Sequence, residues 1–397
     1  MNQQVKIIGI GMDGRKTLTF EARQAIEGAE LLIGAGRMLE PFVSLGKPMI
    51  DCYDSARIAA HIAASGAEHI AVLVSGDVGF YSAAASLFPL LKGYQTELIG
   101  GISTPVYLCA KLGLPWQDMP FISLHGADAP VVRNVCRSRY AFFLLGGKVT
   151  PADICRKLCE YGRGEVRVHI GENLASDNER ITSGAAKDFT DHPSEKLCAV
   201  ITENERYERH VPSCIDDGQF TRGAVPMTKA EVRGLCVAKL AVGGRDTCWD
   251  IGCGTGSVSV EMALRCPLGK VIAIDKNEEA LSLTERNQKA FGCDNIQILA
   301  GSAEEFPAPD CVFIGGSGGT LESIIQTAVG KNPGVRIVLT AVSLETLHQC
   351  AEVFEKYGLE SGITQIAVTR TKKVGSHTML TAENPIFIIE RKMESTI

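Results

Sequence analysis

From residue 246 onward, short apolar segments alternate with longer segments that have the pattern of amphipathic helices. Because parallel strands need crossover connections that cover both faces of the sheet, this alternation predicts a doubly wound α/β domain. Two last strands, ITQIAVTRT and NPIFIIERK, flank a loop and are expected to pair antiparallel at the sheet edge. The apolar segments before them are DTCWDIG, KVIAIDK, IQILAGS, DCVFIGG and RIVLTAV.

A glycine-rich segment, DIGCGTG at residues 250–256, lies where the first of these strands ends and a helix begins. Glycines let a backbone approach a ligand closely, and the free N–H groups of a helix N-terminus favour polar ligand groups. A tight strand-to-helix turn could also explain the glycines. A nicotinamide-binding loop usually has glycine or alanine where this chain has Ser257, so the spacing favours S-adenosylmethionine (SAM) as the ligand.

Two later positions extend this candidate site. Asp275 closes the next strand, where a carboxylate can accept hydrogen bonds from both hydroxyls of a ribose. Its alternative interpretation is a solvated acid at a strand end. Ala303 and Glu304 follow the third strand and are expected beside the adenine, although Glu304 could simply face solvent.

The first half of the chain also alternates strands with helices, and most of its strands end in glycine. Between residues 203 and 220 the sequence turns polar and irregular, which places a domain boundary near Val211. A chain of 397 residues exceeds what one core usually supports. We therefore expect two α/β domains, residues 1–210 and 211–397.

The C-terminal half resembles the decarboxylating C15-methyltransferases of corrin (cobalamin) biosynthesis. The resemblance rests on VPMTKAEVRG, on the glycine loop and on IGGSGG after the fourth strand, and it covers residues from about 220 onward. It implies a class I Rossmann-like methyltransferase fold with SAM as methyl donor. The residues expected to contact SAM are Thr228, Asp250, Gly252, Cys253, Gly254, Thr255, Gly256, Asp275, Ala303 and Glu304.

The N-terminal half resembles the tetrapyrrole methylases, and among them the C5-methyltransferases of the same pathway. The matching segments are IIGIGMDGRKTLT, VSGDVGFYS, the stretch from LIGGISTPV to FISLHG, and GENLASDNERI, with Met12 and Val78 where proline is common. The resemblance implies two α/β subdomains with SAM in the cleft between them. Asp77 could instead cap a helix. The residues expected to contact this second SAM are Gly9, Gly11, Gly76, Asp77, Gly79, Phe80, Ser103 and Thr104.

The order of the two resemblances is that of the fused C5,15-methyltransferases. It implies an enzyme that methylates a reduced tetrapyrrole at C5 and C15, using two SAM sites, and removes the C12 acetate carboxylate as CO2. Methyl transfer from a sulfonium depends mainly on alignment, so no catalytic residue is assigned. Substrate carboxylates call for basic side chains. The candidates are Arg222, Lys229, Arg233, Arg37 and His125, with a solvated helix face as the alternative for Lys229 and Arg233.

Composition limits the other functions. Both halves are slightly acidic within a net charge of −6, which argues against a nucleic-acid partner. We expect no membrane span, a cytoplasmic location, 14 reduced cysteines and no metal site, because apolar runs are short and metal-ligand spacings are missing. A homo-oligomer is expected from relatives of both domains. Another methyl acceptor, a catalytically silent domain, and the presence of cobalt in the substrate stay open.

Overall fold

The structure is a computed structural model, which describes residues 3–126, 129–195, 197–301 and 306–393. The chain divides into two compact units. Unit 1 comprises Met1–Asp128, Arg139–Arg156 and Glu165–Glu205, and unit 2 comprises Ala129–Ser138, Lys157–Gly164 and Arg206–Ile397. Residues 129–138, 157–164 and 206–210 thus belong to unit 2 although they precede residue 211. The assignment of residues 1–210 and 211–397 to two functional domains stays a prediction. None of the described helices is long and apolar enough to cross a membrane.

Unit 1 begins with a parallel sheet of five strands, in the order β3-β2-β4-β1-β5. Its central strands are apolar on both faces because helices cover both, as is usual for parallel sheets. The strands are β1 (Gln4–Gly9), β2 (Leu31–Gly34), β3 (Met49–Asp51), β4 (His69–Val74) and β5 (Gln95–Ile99). The helices are α1 (Phe20–Gly28), α2 (Gly36–Leu39), α3 (Ser55–Ala64), α4 (Ala84–Leu87) and α5 (Thr104–Leu112).

A second five-stranded sheet follows, in the order β6-β7-β10-β8-β9, and only its β6–β7 pair is parallel. The two sheets confirm the predicted pair of α/β subdomains. The strands are β6 (Phe121–Ser123), β7 (Tyr140–Leu144), β8 (Arg167–Glu172), β9 (Arg180–Ala185) and β10 (Cys198–Glu203). Along the chain, helix α6 (Val132–Cys136) lies between β6 and β7, and helix α7 (Pro151–Glu160) lies between β7 and β8; α6 and the last residues of α7 belong to unit 2.

Unit 2 contains a seven-stranded sheet in the order β13-β12-β11-β14-β15-β19-β16. Helices α8 and α9 pack on one face and helices α11 and α12 on the other, which confirms the predicted doubly wound fold. The helices are α8 (Ala230–Leu240), α9 (Ser257–Arg265), α10 (Glu278–Ala290), α11 (Leu321–Lys331) and α12 (Leu344–Lys356). The strands are β11 (Thr247–Ile251), β12 (Lys270–Asp275), β13 (Ile296–Ala300), β14 (Cys311–Ile314), β15 (Arg336–Ala341), β16 (Ser361–Ile366), β17 (Thr369–Val374), β18 (His377–Ala382) and β19 (Ile386–Arg391).

The end of unit 2 differs from the sequence expectation in one respect. Strands β16 and β19 pair antiparallel as predicted, with Ile366 opposite Ile386. The segment expected to be a loop between them instead forms a hairpin of β17 and β18, which turns at Gly375 with φ +62°. Its side chains are almost all exposed, so the sequence has no apolar alternation that would distinguish this hairpin from a loop.

Candidate active sites

A cavity of about 950 Å³ opens at the carboxyl edge of the unit 2 sheet. It lies over the ends of β11, β12, β14 and β15, and it spans the point between β11 and β14 where the strand order reverses. Ligands of open α/β sheets bind at this kind of position. Of the residues predicted to form the C-terminal site, those that line the cavity are Thr228, Lys229, Gly252, Cys253, Gly254 and Asp275.

The glycine loop packs against its neighbours so closely that side chains do not fit. A Cβ atom at Gly252 would lie 2.5 Å from the Gly316 carbonyl oxygen, and one at Gly254 would lie 2.9 Å from the Pro226 oxygen. Both glycines also have positive φ, +72° and +56°. The glycines are therefore required by packing within the protein as well as by any approach of a ligand.

Asp275 is held in a defined orientation at the cavity wall. Its Oδ2 atom accepts a hydrogen bond from the Gly254 amide at 3.0 Å, and its Oδ1 atom accepts one from the Asn277 amide at 3.0 Å. A carboxylate has about four lone-pair positions, so these two bonds leave acceptors for ligand hydroxyls. The arrangement fits the predicted contact with a ribose.

Asp250, by contrast, does not line the cavity. It is fully buried at the end of β11, where one carboxylate oxygen accepts a hydrogen bond from the Ser259 hydroxyl. Within the described residues the other oxygen, Oδ1, has no partner. Burial raises the pKa of Asp250 to about 7. In this structure the side chain connects the glycine loop to α9.

This raised pKa leads to a prediction about stability. Between the ordinary aspartate pKa of 3.8 and about 7, the folded state keeps a proton on Asp250 that the unfolded state has lost. Stability should therefore fall as the pH rises through this window. Asp250→Asn removes the titration, so its free energy of unfolding relative to wild type should rise across the window, on the order of 1–4 kcal/mol. Urea unfolding at both ends of the window measures this, and a pH-independent difference would contradict it.

The basic candidates of unit 2 differ in position. Lys229 lines the cavity, with its Nζ atom 4.0 Å from an Asp217 carboxylate oxygen. Arg222 is exposed and does not line the cavity. Lys276 does line it and was missed from the sequence, although its place directly after Asp275 could have indicated it.

The structure corrects the prediction that Arg233 binds substrate carboxylates or lies on a solvated helix face. Its side chain is fully buried, neither on a solvated helix face nor open to a substrate. The guanidinium group pairs with Glu261 at 2.7 Å and donates to the Thr228 carbonyl oxygen at 2.6 Å. It also stacks on Phe220 at 4.8 Å. Arg233 therefore positions the segment that carries Thr228, and its spacing with buried Val237 and Leu240 along α8 was a signal for burial.

Gly256 and Thr255, also predicted to contact SAM, lie behind the cavity wall. A Cβ atom at Gly256 would lie 2.7 Å from Thr284, so the absence of a side chain lets the start of α9 pack on α10. Thr255 is buried. Ala303 and Glu304 fall outside the described residues, so their predicted places beside the adenine stay untested.

Unit 1 contains a cavity of about 540 Å³, lined by loops that follow strands of both its sheets. The resemblance placed SAM in a cleft between two subdomains, and this cavity fits that description. Gly9 ends β1, and Gly11, Asp77, Gly79 and Ser103 belong to the same loops, but none of the five lines the cavity. The predicted residues that do line it are Gly76, Phe80, Thr104, Arg37 and His125.

Three glycines let the loops of unit 1 meet backbone to backbone. A Cβ atom at Gly9 would lie 2.7 Å from the Gly76 carbonyl oxygen, and one at Gly101 would lie 2.6 Å from the Gly9 oxygen. The Asp77 carboxylate joins the same loops, because it accepts hydrogen bonds from the Gly79 amide at 2.8 Å and the Gly101 amide at 3.0 Å. Asp77 thus braces the loops and does not cap α4, whose N-cap residue is Ala83. Gly101 was missed from the sequence.

The substitution at Met12 has a structural reason. The Met12 amide donates a hydrogen bond to the Thr17 hydroxyl at 2.8 Å, and proline has no N–H with which to do so. The Asp13 carboxylate accepts hydrogen bonds from the Arg15 and Lys16 amides at 3.1 Å, which closes the loop further. Met12 and Asp13 both line the cavity, so this hydrogen-bonded loop replaces a proline turn at its wall.

Two other wall residues have backbone conformations that are unusual for side chains. Tyr81 has φ +46° and Asn173 has φ +48°, and both line the cavity. The Tyr81 hydroxyl donates a hydrogen bond to the Phe121 carbonyl oxygen at 3.0 Å, which holds its conformation. Positive φ at non-glycine residues costs about 1–3 kcal/mol and concentrates at functional sites. The geometry therefore supports this cavity as a site.

Comparison with known proteins gives consistent matches to both halves. Residues 219–392 match the family model of the precorrin methyltransferase domain, and residues 4–190 match that of the tetrapyrrole (corrin/porphyrin) methylases. A precorrin-6Y C(5,15)-methyltransferase [decarboxylating] of Sinorhizobium sp is 28% identical over 385 residues, covering 94% of this chain and 92% of that protein.

A probable cobalt-precorrin-6B C(15)-methyltransferase (decarboxylating) of Pyrobaculum calidifontis is 43% identical over 182 residues, which cover 44% of this chain and 93% of that protein. Among solved structures, precorrin 8w decarboxylase of Methanobacterium thermoautotrophicum is 36% identical and covers 45% of this chain and 100% of that chain, with a TM-score of 0.43.

The fold and the sites define the class of this protein, a SAM-dependent methyltransferase in which a tetrapyrrole methylase fold is followed by a Rossmann-like fold. Within that class, the chain belongs to the decarboxylating precorrin methyltransferase family, and nearly its whole length matches the C5,15 type. The family and both fold types predicted from the sequence are confirmed.

Proposed function

We propose that this chain is a bifunctional methyltransferase of corrin ring synthesis. It converts precorrin-6B, or its cobalt form, to precorrin-8 by methylation at C5 and C15 with loss of CO2 from the C12 acetate. The observation that carries the proposal is similarity over 94% of the chain to a relative named for both methylations and for decarboxylation. Separate matches of the two halves to methyltransferase families support two active halves.

Each unit is proposed to bind one SAM. In unit 2, the Asp275 carboxylate would accept the ribose hydroxyls, and the backbone of Gly252 and Gly254 would form the adjoining wall. In unit 1, Gly76, Phe80 and Thr104 would line the SAM site. These residues fit a nucleoside, because the Asp275 carboxylate is held in position to accept hydrogen bonds from ribose hydroxyls and the glycine loops form a wall of backbone beside it.

SAM supplies an activated methyl group, and the residues of the chain align the acceptor carbon with it. The substrate carries several carboxylates, which Lys229 and Lys276 would bind in unit 2 and Arg37 and His125 in unit 1. Ile324 and Ile386 give the unit 2 cavity an apolar wall that limits water at the reacting carbon. Decarboxylation needs an electron sink, which a protonated imine of the tetrapyrrole ring can provide.

The two chemistries are assigned to different units. Methylation at C15 and loss of CO2 are proposed for unit 2, because the relative that matches this half is named for both. Methylation at C5 is proposed for unit 1. The alternative, in which one domain binds SAM without catalysis, predicts transfer of a single methyl group. A homo-oligomer and a cytoplasmic location also stay predictions, and light scattering would check the first.

The contact between Asp275 and SAM is tested by Asp275→Ala in the full chain. Loss of hydrogen bonds to a charged group should weaken SAM binding at one site by about 1.5–3 kcal/mol, or roughly tenfold to 150-fold. Calorimetry that resolves two classes of site measures this. Asp118→Ala, a change at an exposed aspartate outside both cavities, serves as the control. Two unchanged affinities would rule out the contact.

The proposed reaction is tested by incubating the full chain with SAM and precorrin-6B, with and without cobalt, and weighing the products. Two added methyl groups and loss of one CO2 are expected. A single methyl group would support the silent-domain alternative. No turnover with either substrate form would point to a different acceptor.

A further inference from the structure

Unit 2 contains another cavity, of about 460 Å³, at the opposite edge of its sheet. Val242 and Pro267 line it, and they precede β11 and β12, so this cavity lies at the amino ends of the strands. The remaining lining comes from α6 and Arg137 directly after it, from residues 208–211 and from the end of α9. No described residue lines both this amino-edge cavity and the 950 Å³ cavity.

The lining of the amino-edge cavity is strongly cationic. It contains four arginines and His210 but only one carboxylate, in a chain with a net charge of −6. Two of the arginines have partners: Arg133 is fully buried and pairs with Glu208, and Arg265 donates to carbonyl oxygens, among them Ser213 at 2.8 Å. These two side chains are explained by the fold.

The other two arginines, Arg137 and Arg209, form no ion pair with a described carboxylate. The Nε atom of Arg137 donates to the Asn134 side chain at 3.0 Å, but within the described residues its terminal nitrogens have no acceptor and it has no carboxylate partner. Arg137 is half-buried, and burial and the charge of Arg133 lower its pKa. Arg209 likewise has no partner in the described part of the chain. Arg209 is exposed, but Arg137 is a partly buried cation, and such a cation without a counter-charge is unfavourable unless a ligand supplies one.

The surface that presents Arg137 is held in place. The Asp294 carboxylate accepts hydrogen bonds from the amides of Val131, Val132 and Arg133 at 2.7–2.9 Å, which caps the start of α6. The backbone of Gly292 leaves no room for a side chain, because a Cβ atom there would lie 2.7 Å from the Cys136 sulfur. The backbone that carries Arg137 is therefore held in place, and its Nε atom is held by Asn134, which reduces the entropy lost on binding.

We propose that the amino-edge cavity binds a multiply charged oxyanion, held by Arg137 and Arg209. Guanidinium groups bind phosphate and carboxylate in the same bidentate geometry, so the ligand could be a phosphate compound or a polycarboxylate. Because the cavity lies at the amino edge, away from the carboxyl-edge cavity, the anion is a bound effector and not a reactant. This inference does not depend on the proposed reaction.

Pyrophosphate binding to the full chain tests the site, measured by calorimetry at constant ionic strength adjusted with sodium chloride. Saturable binding is expected in the wild-type protein. Removal of a charged hydrogen-bond donor in Arg137→Gln or Arg209→Gln should raise the Kd about tenfold or more. The matched control is Arg286→Gln, an exposed arginine on α10 outside all the cavities described, which should bind as wild type does.

Uroporphyrin, a stable tetrapyrrole polycarboxylate, provides the second arm. If uroporphyrin displaces pyrophosphate from the wild-type protein, and the Arg137→Gln and Arg209→Gln variants bind it more weakly, the site accepts a carboxylate ligand. If pyrophosphate binds and uroporphyrin does not, the ligand is a phosphate compound. Arg209 is exposed, so its variant should fold even if Arg137→Gln does not. The proposal would be overturned if the Arg209→Gln variant bound each anion as tightly as the wild-type protein does. It would also be overturned if sodium chloride alone, at the same ionic strength, gave the same calorimetric signal.

Discussion

Replacing Gly252 with alanine is expected to abolish methyl transfer at the carboxyl edge of unit 2, while unit 1 keeps its activity. The new Cβ atom would lie 2.5 Å from the Gly316 oxygen and 2.8 Å from the Gly316 nitrogen. Both are backbone atoms, so no side chain can move aside. The positive φ of Gly252 adds about 1–2 kcal/mol of strain. One of the two loops that line the cavity must therefore shift.

A shift of this kind should be costly, since a misplacement of about 1 Å can lower a rate roughly 100-fold. Mass spectrometry of the products should show the C5 methyl group without the C15 methyl group and without loss of CO2. Gly330→Ala is the matched control, because a Cβ atom there meets nothing within 4 Å. Full C15 methylation by Gly252→Ala would show that the loop tolerates the displacement.

Much of the unit 2 fold could be predicted because its central strands are buried on both faces. Residues 271–274 of β12 and Cys311–Ile314 are short apolar runs between glycines or charges, and this pattern directly reflects a parallel sheet. The position of the glycine loop then located the cavity, since a loop after the first strand of such a sheet lies at the switch point. In this part of the chain, the local sequence pattern therefore also indicates where the glycine loop lies in the fold.

The parts that could not be predicted depend on tertiary packing. Arginine is usually found at the surface, so the residue type alone predicts an exposed Arg233. Its burial depends on the ion pair with Glu261, which lies 28 residues away in the sequence. Residues 129–138 belong to unit 2, where their backbone amides donate hydrogen bonds to the Asp294 carboxylate. Asp294 lies more than 160 residues further along the chain. Neither partner can be identified from residues near the side chain in question.

The sites show the same limit. Spacing identified Gly252 and Gly254, but only the structure shows that Gly316 and Pro226 exclude side chains there. Asp77 was identified by resemblance, and its role as a brace between two loops became visible only through Gly101, which lies in a matching segment but was not predicted as a site residue. Sequence patterns thus indicated where both cavities lie more reliably than they explained the packing around them.

Gly101 also gives the second prediction with a large effect. In Gly101→Ala the Cβ atom would overlap the Gly76 carbonyl oxygen and lie 2.6 Å from the Gly9 oxygen, so three loops at the unit 1 cavity must separate. We expect loss of C5 methylation by at least about 100-fold, because loops that align a methyl donor tolerate little displacement. C15 methylation and CO2 release should continue. Product mass spectrometry of the full chain with SAM and precorrin-6B measures all three.

Two comparisons make this test specific to the packing of the loops. Gly66→Ala changes a glycine of unit 1 whose Cβ atom would meet nothing within 4 Å, and it should leave both methylations intact. Gly79→Ala brings a Cβ atom within 3.2 Å of the Asp77 carboxylate alone, so its effect should be much smaller if backbone packing is what matters. If Gly79→Ala were as damaging as Gly101→Ala, close approach of the ligand would be the better explanation for these glycines. If Gly101→Ala removed both methylations together, the two sites would not be independent, and the assignment of one methyl transfer to each unit would fail.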